Sequence, residues 1–366
     1  MIQIVSEEEY KAPKVLVIGI GGGGNNAINR MMEQSNYKVT YVAVNTDKMV
    51  LDNSHAQDRL AIGEKLTGGY GAGGDPEIGA ASAEESAEEI EALVKGAQMV
   101  VLTAGMGGGT GTGATPVIAK ICKELKILTV AVVTKPFSFE SRKKMDIAET
   151  GIAKLKDNVD TLFIIPNNRL LELNDKTLDL NKAFLLADSV LQNTLIAITS
   201  IIFNCGVIHL DFNDLRTVLM RKGISYIGLS NDYEGNDIVK AIEVALNSPF
   251  LETSIQGASY VLVTVSGKIN LLELNAAVES VQDRAGKDAY IMWGTVEAED
   301  DSDNVGVTII ATGMEGNSSK PVFDPTPIIP DPIFQAKPNL IIPPKATIKE
   351  DDFVIPKFIL DKTGRK

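Results

Sequence analysis

Two cysteines, two histidines and one tryptophan in 366 residues leave little material for several kinds of chemistry. Cys122 and Cys205 are too few for a disulfide framework or a zinc site. Cys122 falls in an apolar helical pattern, where a thiol behaves as a small hydrophobe. Basic residues are short as well, 35 Lys and Arg against 48 Asp and Glu, a net charge of −13. A nucleic-acid-binding surface needs clustered Lys and Arg, so this balance reads as a soluble acidic surface and excludes nucleic acid as a partner. Long hydrophobic runs are also missing. The longest, 195–203, includes Thr199 and Ser200 and is too short to span a bilayer. The acidic start, Glu7-Glu8-Glu9, lacks the basic and apolar regions of a signal peptide. A cytoplasmic protein without direct membrane insertion is expected.

What the chain has instead is glycine in two dense clusters. Gly105-Met106-Gly107-Gly108-Gly109-Thr110-Gly111-Thr112-Gly113 follows a strand-like segment, 99–103, and leads into a helical pattern from Ala114 to Leu125. Missing side chains let the backbone close around a large anion, and unpartnered N–H groups at a helix start complement its charge. This predicts a phosphate cradle. It is not a P-loop, because the Gly-Lys-Ser/Thr ending is absent. The second cluster, Gly19-Ile20-Gly21-Gly22-Gly23-Gly24-Asn25-Asn26, follows the buried strand pattern 15–18 and precedes a helical pattern carrying Ala27, Ile28, Met31 and Met32. Alone it is a weak dinucleotide-binding signal, with Asp47 as the acidic residue after the next strand. An NAD-dependent oxidoreductase, however, leaves the longer glycine loop without a task, and neither histidine has an obvious orienting partner. Tight strand-to-helix turns account for one or two glycines, not two such clusters.

With 44% hydrophobic residues, the chain can build two cores. Strand patterns at 15–18, 39–44, 99–103, 127–133 and 161–165 alternate with helical segments, which predicts an α/β fold with a parallel sheet covered on both faces. Both glycine loops then lie at the carboxyl ends of strands, where such sheets bind ligands. A long helical pattern without Gly or Pro runs from Lys182 to about Asn204. A smaller α+β unit follows, with strands at 224–229, 259–265, 289–293 and 305–311 and helices at 235–247 and 270–281. Nine of the 15 prolines fall between Pro321 and Pro356, which excludes a helix or central strand there. The expected divisions are a flexible N-terminus (1–13), a nucleotide-binding domain (14–181), a central helix (182–204), a loop with its following helix (205–222), the small domain (223–315), a Pro-rich linker (316–349) and a terminal peptide (350–366).

The glycine run GMGGGTGTG resembles the signature of the tubulin/FtsZ GTPases, and its surroundings are similar to FtsZ, the bacterial cell-division branch. Matching stretches are Asn45-Thr46-Asp47, Gly71-Ala72-Gly73-Gly74-Asp75-Pro76, Val133-Thr134-Lys135-Pro136-Phe137, Ile165-Pro166-Asn167 and Asp211-Phe212-Asn213-Asp214-Leu215-Arg216-Thr217-Val218. The resemblance implies a Rossmann-like GTPase domain, a long central helix and a smaller α+β domain. It also implies GTP and GDP as substrate and product, with Mg²⁺ held mainly through the phosphates rather than by protein metal ligands.

Residue by residue, the resemblance assigns nucleotide contacts to Gly22, Gly23, Gly24, Asn25 and Asn26, to Gly109, Thr110 and Gly111, and to Ala72 and Gly73 near the terminal phosphate. It gives Glu140 to the ribose, and Asn167, Phe184 and Asp188 to the base. Asn167 also fits a helix cap after Pro166, and Phe184 a core residue. At Lys144 the family carries arginine, so charge is kept and the bidentate fork lost. Asp211 and Asp214 are the implied catalytic pair, although two carboxylates three apart are usually a helix N-terminus. His209 stands where the family has asparagine.

If Phe184 and Asp188 begin the long helix, about 20 residues carry the chain ~30 Å from the base pocket to the aspartates. One molecule then cannot bring both to one phosphate, but two copies stacked head to tail can. The resemblance therefore implies a self-assembling filament whose active site is shared, located at mid-cell. The terminal DFVIPKF stretch, Asp352–Phe358, is similar to the family's peptide for membrane-tethering division proteins. A segment packing on its own domain is the alternative. The DDFVIPKF tail also separates a division protein from a tubulin-like filament for plasmid segregation or cell shape.

Overall fold

In the computed structural model, which describes residues 13–34, 39–172, 180–203, 208, 210–220, 222–233, 237–247, 254–267, 269–296 and 304–314, seven parallel strands form the larger of two sheets. The chain runs β1 (Val15–Ile20), α1 (Gly21–Gln34), β2 (Thr40–Asn45), α2 (Lys48–Asp52), β3 (Asp58–Ala61), α3 (Glu64–Thr67), α4 (Pro76–Glu85), α5 (Ala87–Val94), β4 (Met99–Gly105), α6 (Thr110–Glu124), β5 (Leu128–Lys135), α7 (Arg142–Lys156) and β6 (Thr161–Pro166). The long α8 (Leu180–Phe203) and α9 (Phe212–Leu219) lead to β7 (Gly223–Ile224). The remainder is β8 (Tyr226–Tyr233), α10 (Ile238–Leu246), β9 (Tyr260–Ser266), α11 (Leu271–Ala285), β10 (Tyr290–Val296) and β11 (Val305–Thr312). His209, the linker 316–349 and the peptide Asp352–Phe358 lie outside the described residues.

The large sheet has the order β3-β2-β1-β4-β5-β6-β7. The chain builds outward from β1 in one direction and from β4 in the other, so the topological switch lies between β1 and β4. Apart from Thr103, both strands are apolar, and they are buried on both faces, as parallel strands covered by helices must be. Leu16 and Ile18 share one core with Ile118 and Cys122 of α6 and Ile90 of α5. Val15 and Val17 point the other way, into a core with Ala27 and Met31 of α1 and Leu191, Leu195 and Ile198 of α8. That second core continues into Val261, Val263 and Ile309 of the smaller sheet, so α8 is buried between the two sheets.

The smaller sheet has the order β10-β9-β11-β8, with β9 and β10 parallel and β11 antiparallel to β8 and β9. The strand expected over 224–229 is divided. Gly223 and Ile224 pair with β6 in the large sheet, and Tyr226 opens β8 in the small one, with only Ser225 between them. A continuous apolar run cannot reveal which sheet each half joins. Lys182–Phe203 is long and apolar enough to cross a membrane, with mean hydropathy 1.5, contrary to the reading that no segment qualifies. Ser189, Gln192, Thr194, Thr199 and Ser200 interrupt its apolar residues without lowering the average enough, and Leu195 and Ile198 are completely buried in protein.

Candidate nucleotide site

The two glycine clusters meet at the switch point. Glycine is required at Gly24, because a Cβ there would stand 2.3 Å from the Thr103 carbonyl oxygen of β4. Gly21 has φ +69° and approaches the Gly111 nitrogen, where a Cβ would be 2.9 Å away. Residues 22–26, expected in the loop, already belong to the first turns of α1. The 71–76 loop closes in from a third side: Ala72 is buried, and a Cβ on Gly109 would meet Ala72 at 2.9 Å. Other glycines open outward. A Cβ at Gly22, Gly73, Gly74 or Gly108 would find nothing within 4 Å. Gly108 was not singled out from the sequence, because nothing in a run of glycines distinguishes the packed ones from the open one.

Polar side chains hold these loops in place. Asn25 is buried, donates to the Gly19 carbonyl at 2.7 Å and accepts from Asn45 of β2 at 2.8 Å. Its amide is therefore spent on loop shape. The hydroxyls of Thr46 and Thr110 are bonded at 2.7 Å, linking β2 to the start of α6, and the Thr112 hydroxyl accepts from Gly107 N–H at 2.8 Å. No side chain caps the N-terminus of α6, which leaves its first-turn N–H groups to an anion.

A second group of residues gathers beyond the carboxyl ends of β5 and β6. Glu140 accepts from Phe137 N–H at 3.0 Å through one oxygen and pairs with Lys144 at 3.1 Å through the other. Ser141, between them, has φ 143° and accepts from Lys144 N–H at 3.3 Å, a strained turn that starts α7. Phe184 is 39% exposed. Its ring meets Phe137 edge-on at 5.3 Å and Phe139 at 6.2 Å, while Phe137 and Phe139 stack at 4.9 Å. The two extra rings were given no role from the sequence, although Phe137 ends the quoted Val133–Phe137 stretch and Phe139 precedes Glu140. Asn167 is buried, and its Oδ1 has no hydrogen-bond partner. A lone buried acceptor costs about 1–3 kcal/mol, which a donor on a ligand would relieve. Asp188 of α8 pairs with Arg30 of α1 at 3.2 Å. Burial pushes its carboxyl above the usual carboxylate range, and the nearby Arg30 guanidinium opposes that.

Asp211 and Asp214 are not brought to this site. Asp211 caps α9, accepting from Asn213 and Asp214 N–H at 2.8 and 2.9 Å, while Asp214 accepts from Asp211 N–H at 3.1 Å. The bland reading of this pair, a helix N-terminus, is therefore physically present as a reciprocal capping box. Each aspartate has a second oxygen outside the box. Leu210 lines a small cavity with Ile201, in the last turn of α8. Phe184 lies in the second turn of that helix, and 17 residues of rise separate it from Ile201 by ~26 Å. The far end of α9 is fixed at the amino edge of the large sheet: Thr161 of β6 donates to the Leu219 carbonyl, and Lys222 N–H to that of Asp160 at 2.7 Å. The glycine loops and the aspartates thus occupy opposite poles.

Two protein families match this chain: the GTPase domain of the Tubulin/FtsZ family over residues 14–175, and the FtsZ family C-terminal domain over 223–315. Among solved structures, an FtsZ dimer from M. jannaschii is 39% identical, covering 84% of this chain and 90% of its own, with a TM-score of 0.79. A GTPγS-bound protofilament of CetZ2 from Haloferax volcanii is 19% identical over 81% of this chain and 92% of its own, TM-score 0.71, a likeness of fold.

Proposed function

This chain belongs to the tubulin/FtsZ family, a family of GTPases, and from that premise we propose that it hydrolyses GTP between copies stacked head to tail in filaments of the bacterial division ring. Gly22, Gly23, Gly24, Asn26, Gly73, Gly109, Thr110 and Gly111 form the phosphate cradle, shaped by Asn25 and Ala72. Glu140 takes the ribose, with Lys144 fixing its second oxygen. Phe184 offers its exposed face to the base, and Asn167 and Asp188 supply acceptors for guanine N–H groups. Mg²⁺, which the family resemblance implies, would be held mainly through the phosphates of the bound nucleotide. When bound, it neutralises charge developing on the transferred phosphoryl group.

The free oxygens of Asp211 and Asp214 act on the neighbouring copy's nucleotide. They orient and polarise the attacking water, so their contribution is positioning and electrostatics. The observation that carries the reading is the length of α8, which runs from the turn carrying Phe184 to Ile201, beside Leu210 and the aspartate pair that follows it. A contact joining opposite poles is heterologous and repeats into a filament. Nucleotide binding belongs to 14–181 and its completion to 205–222 of the next copy. The Asp352–Phe358 peptide recruits membrane tethers and so keeps the filament at the cytoplasmic face of mid-cell.

Two measurements test this. GTP turnover per molecule should rise with protein concentration, and a flat dependence would sink the shared site. Asp214→Ala should bind GTP as the parent does while phosphate release falls by at least tenfold. A variant that no longer binds GTP would overturn the role given to Asp214.

A further inference from the structure

The Arg30–Asp188 pair ties α1 to α8 at a residue assigned to the base pocket, and its strength as an ion pair is small. The side chains are 35% and 21% exposed, and such partly wet pairs add little to stability. What the pair fixes is geometry. Arg30 contacts Oδ2 of Asp188 at 3.2 Å, while Oδ1 has no partner among the described residues. The grip is doubled one turn further along α8, where buried Gln192 donates to the Arg30 carbonyl oxygen at 3.3 Å. Arg30 itself lies one turn beyond Asn26 on α1, the helix that begins in the phosphate cradle.

We propose, resting on the guanine-pocket reading above, that Arg30 is a positioning residue for base selection. It holds one carboxylate oxygen of Asp188 and leaves the other for guanine N–H donors. An aspartate swinging freely on χ1 and χ2 can meet those donors only after losing rotamer freedom. One tethered by Arg30 has already lost it, so more of the hydrogen-bond energy reaches the bound state. A base that lacks the donors gains nothing from this arrangement, and that difference is selectivity. Arg30→Met keeps the length of the stem against α8 and removes the tether. Arg30→Lys keeps the charge and loses the planar fork.

The test compares GTP with ITP, whose base lacks only the 2-amino group, by equilibrium binding to the full chain. The parent should prefer GTP. Arg30→Met should lower the GTP-to-ITP affinity ratio by about tenfold, since a hydrogen bond to a charged group is worth that much or more, and Arg30→Lys should recover part of it. In an Asp188→Asn background, Arg30→Met should change the ratio no further. If Arg30→Met weakens both nucleotides by the same factor, or changes neither, Arg30 serves packing alone and the proposal fails. A parent protein without preference for GTP defeats the guanine-pocket reading itself, and does so before any variant is compared.

Discussion

Replacing Gly22 with alanine should stabilise the empty protein and weaken its hold on nucleotide. Gly22 lies in the first turn of α1, and a Cβ there meets nothing within 4 Å. Alanine is favoured over glycine in helices by up to about 1 kcal/mol. At an end turn about half of that applies, a rise in Tm of about 1–2 °C for a domain of this size. The open side of Gly22 is the side assigned to the phosphates. A methyl group there displaces an oxygen from backbone N–H groups, and one lost bond to a charged acceptor costs about 1.5–3 kcal/mol, roughly a 10- to 150-fold rise in Kd. Thermal unfolding without nucleotide and titration with a slowly hydrolysed GTP analogue measure the two effects separately. Gly24→Ala is the contrasting variant. Its Cβ would collide with the Thr103 carbonyl, and overpacking of this kind costs about 1–3 kcal/mol. If Gly22→Ala binds the analogue as tightly as the parent does, the open glycines do not face the phosphates and the cradle is misassigned.

Other perturbations separate structure from chemistry. Asp211→Ala removes the cap of α9 and should cost about 1 kcal/mol in denaturant unfolding, whereas Asp211→Asn keeps it and should lose GTP turnover alone. Equal destabilisation by both would contradict the cap. Gly113→Ala drives a Cβ to 2.0 Å from the Pro76 carbonyl. It should separate α4 from α6 at a cost of about 1–3 kcal/mol, and an unchanged melting temperature would refute that close crossing. Burial pushes the Cys122 thiol up to about 12 from 9.0, so in a Cys205→Ser background it should resist aromatic disulfide reagents at pH 8 until the protein unfolds. Because the unfolded thiol ionises first, this group's share of stability is full below pH 9 and falls as pH rises towards 12. Rapid native-state labelling would contradict the burial.

The large sheet was legible because its strands are buried on both faces and read as unbroken apolar runs between glycine-rich turns. The edge strand β3 was not, since Asp58 and Arg59 are exposed and its four residues carry no apolar alternation. Helix α9 was expected only somewhere within 205–222, its eight residues being too few for a clear period that would fix its ends. At the site, the glycine loops announced themselves, but the sequence could not tell Gly24, packed on Thr103, from Gly22, open to solvent. Nor could it show Asn25 turned inward to brace the loop. Phe139 and Arg30 escaped notice because an isolated aromatic or arginine has no local signature. Their meaning comes from Phe184 and Asp188, more than 40 residues away.

Ser225 has a mechanical consequence. It is buried, and its N–H donates to the Leu162 carbonyl at 3.0 Å, clamping the junction between β7 and β8 onto β6. The same β6 ends at Pro166, beside Asn167 of the base pocket. With one clamped residue between the sheets there is no slack, so a shift of β6 along its axis would be delivered to the smaller sheet as a lever delivers a push. Two glycines inserted after Ser225 would put play into that joint, leaving each sheet intact while disconnecting the small one from events at the nucleotide.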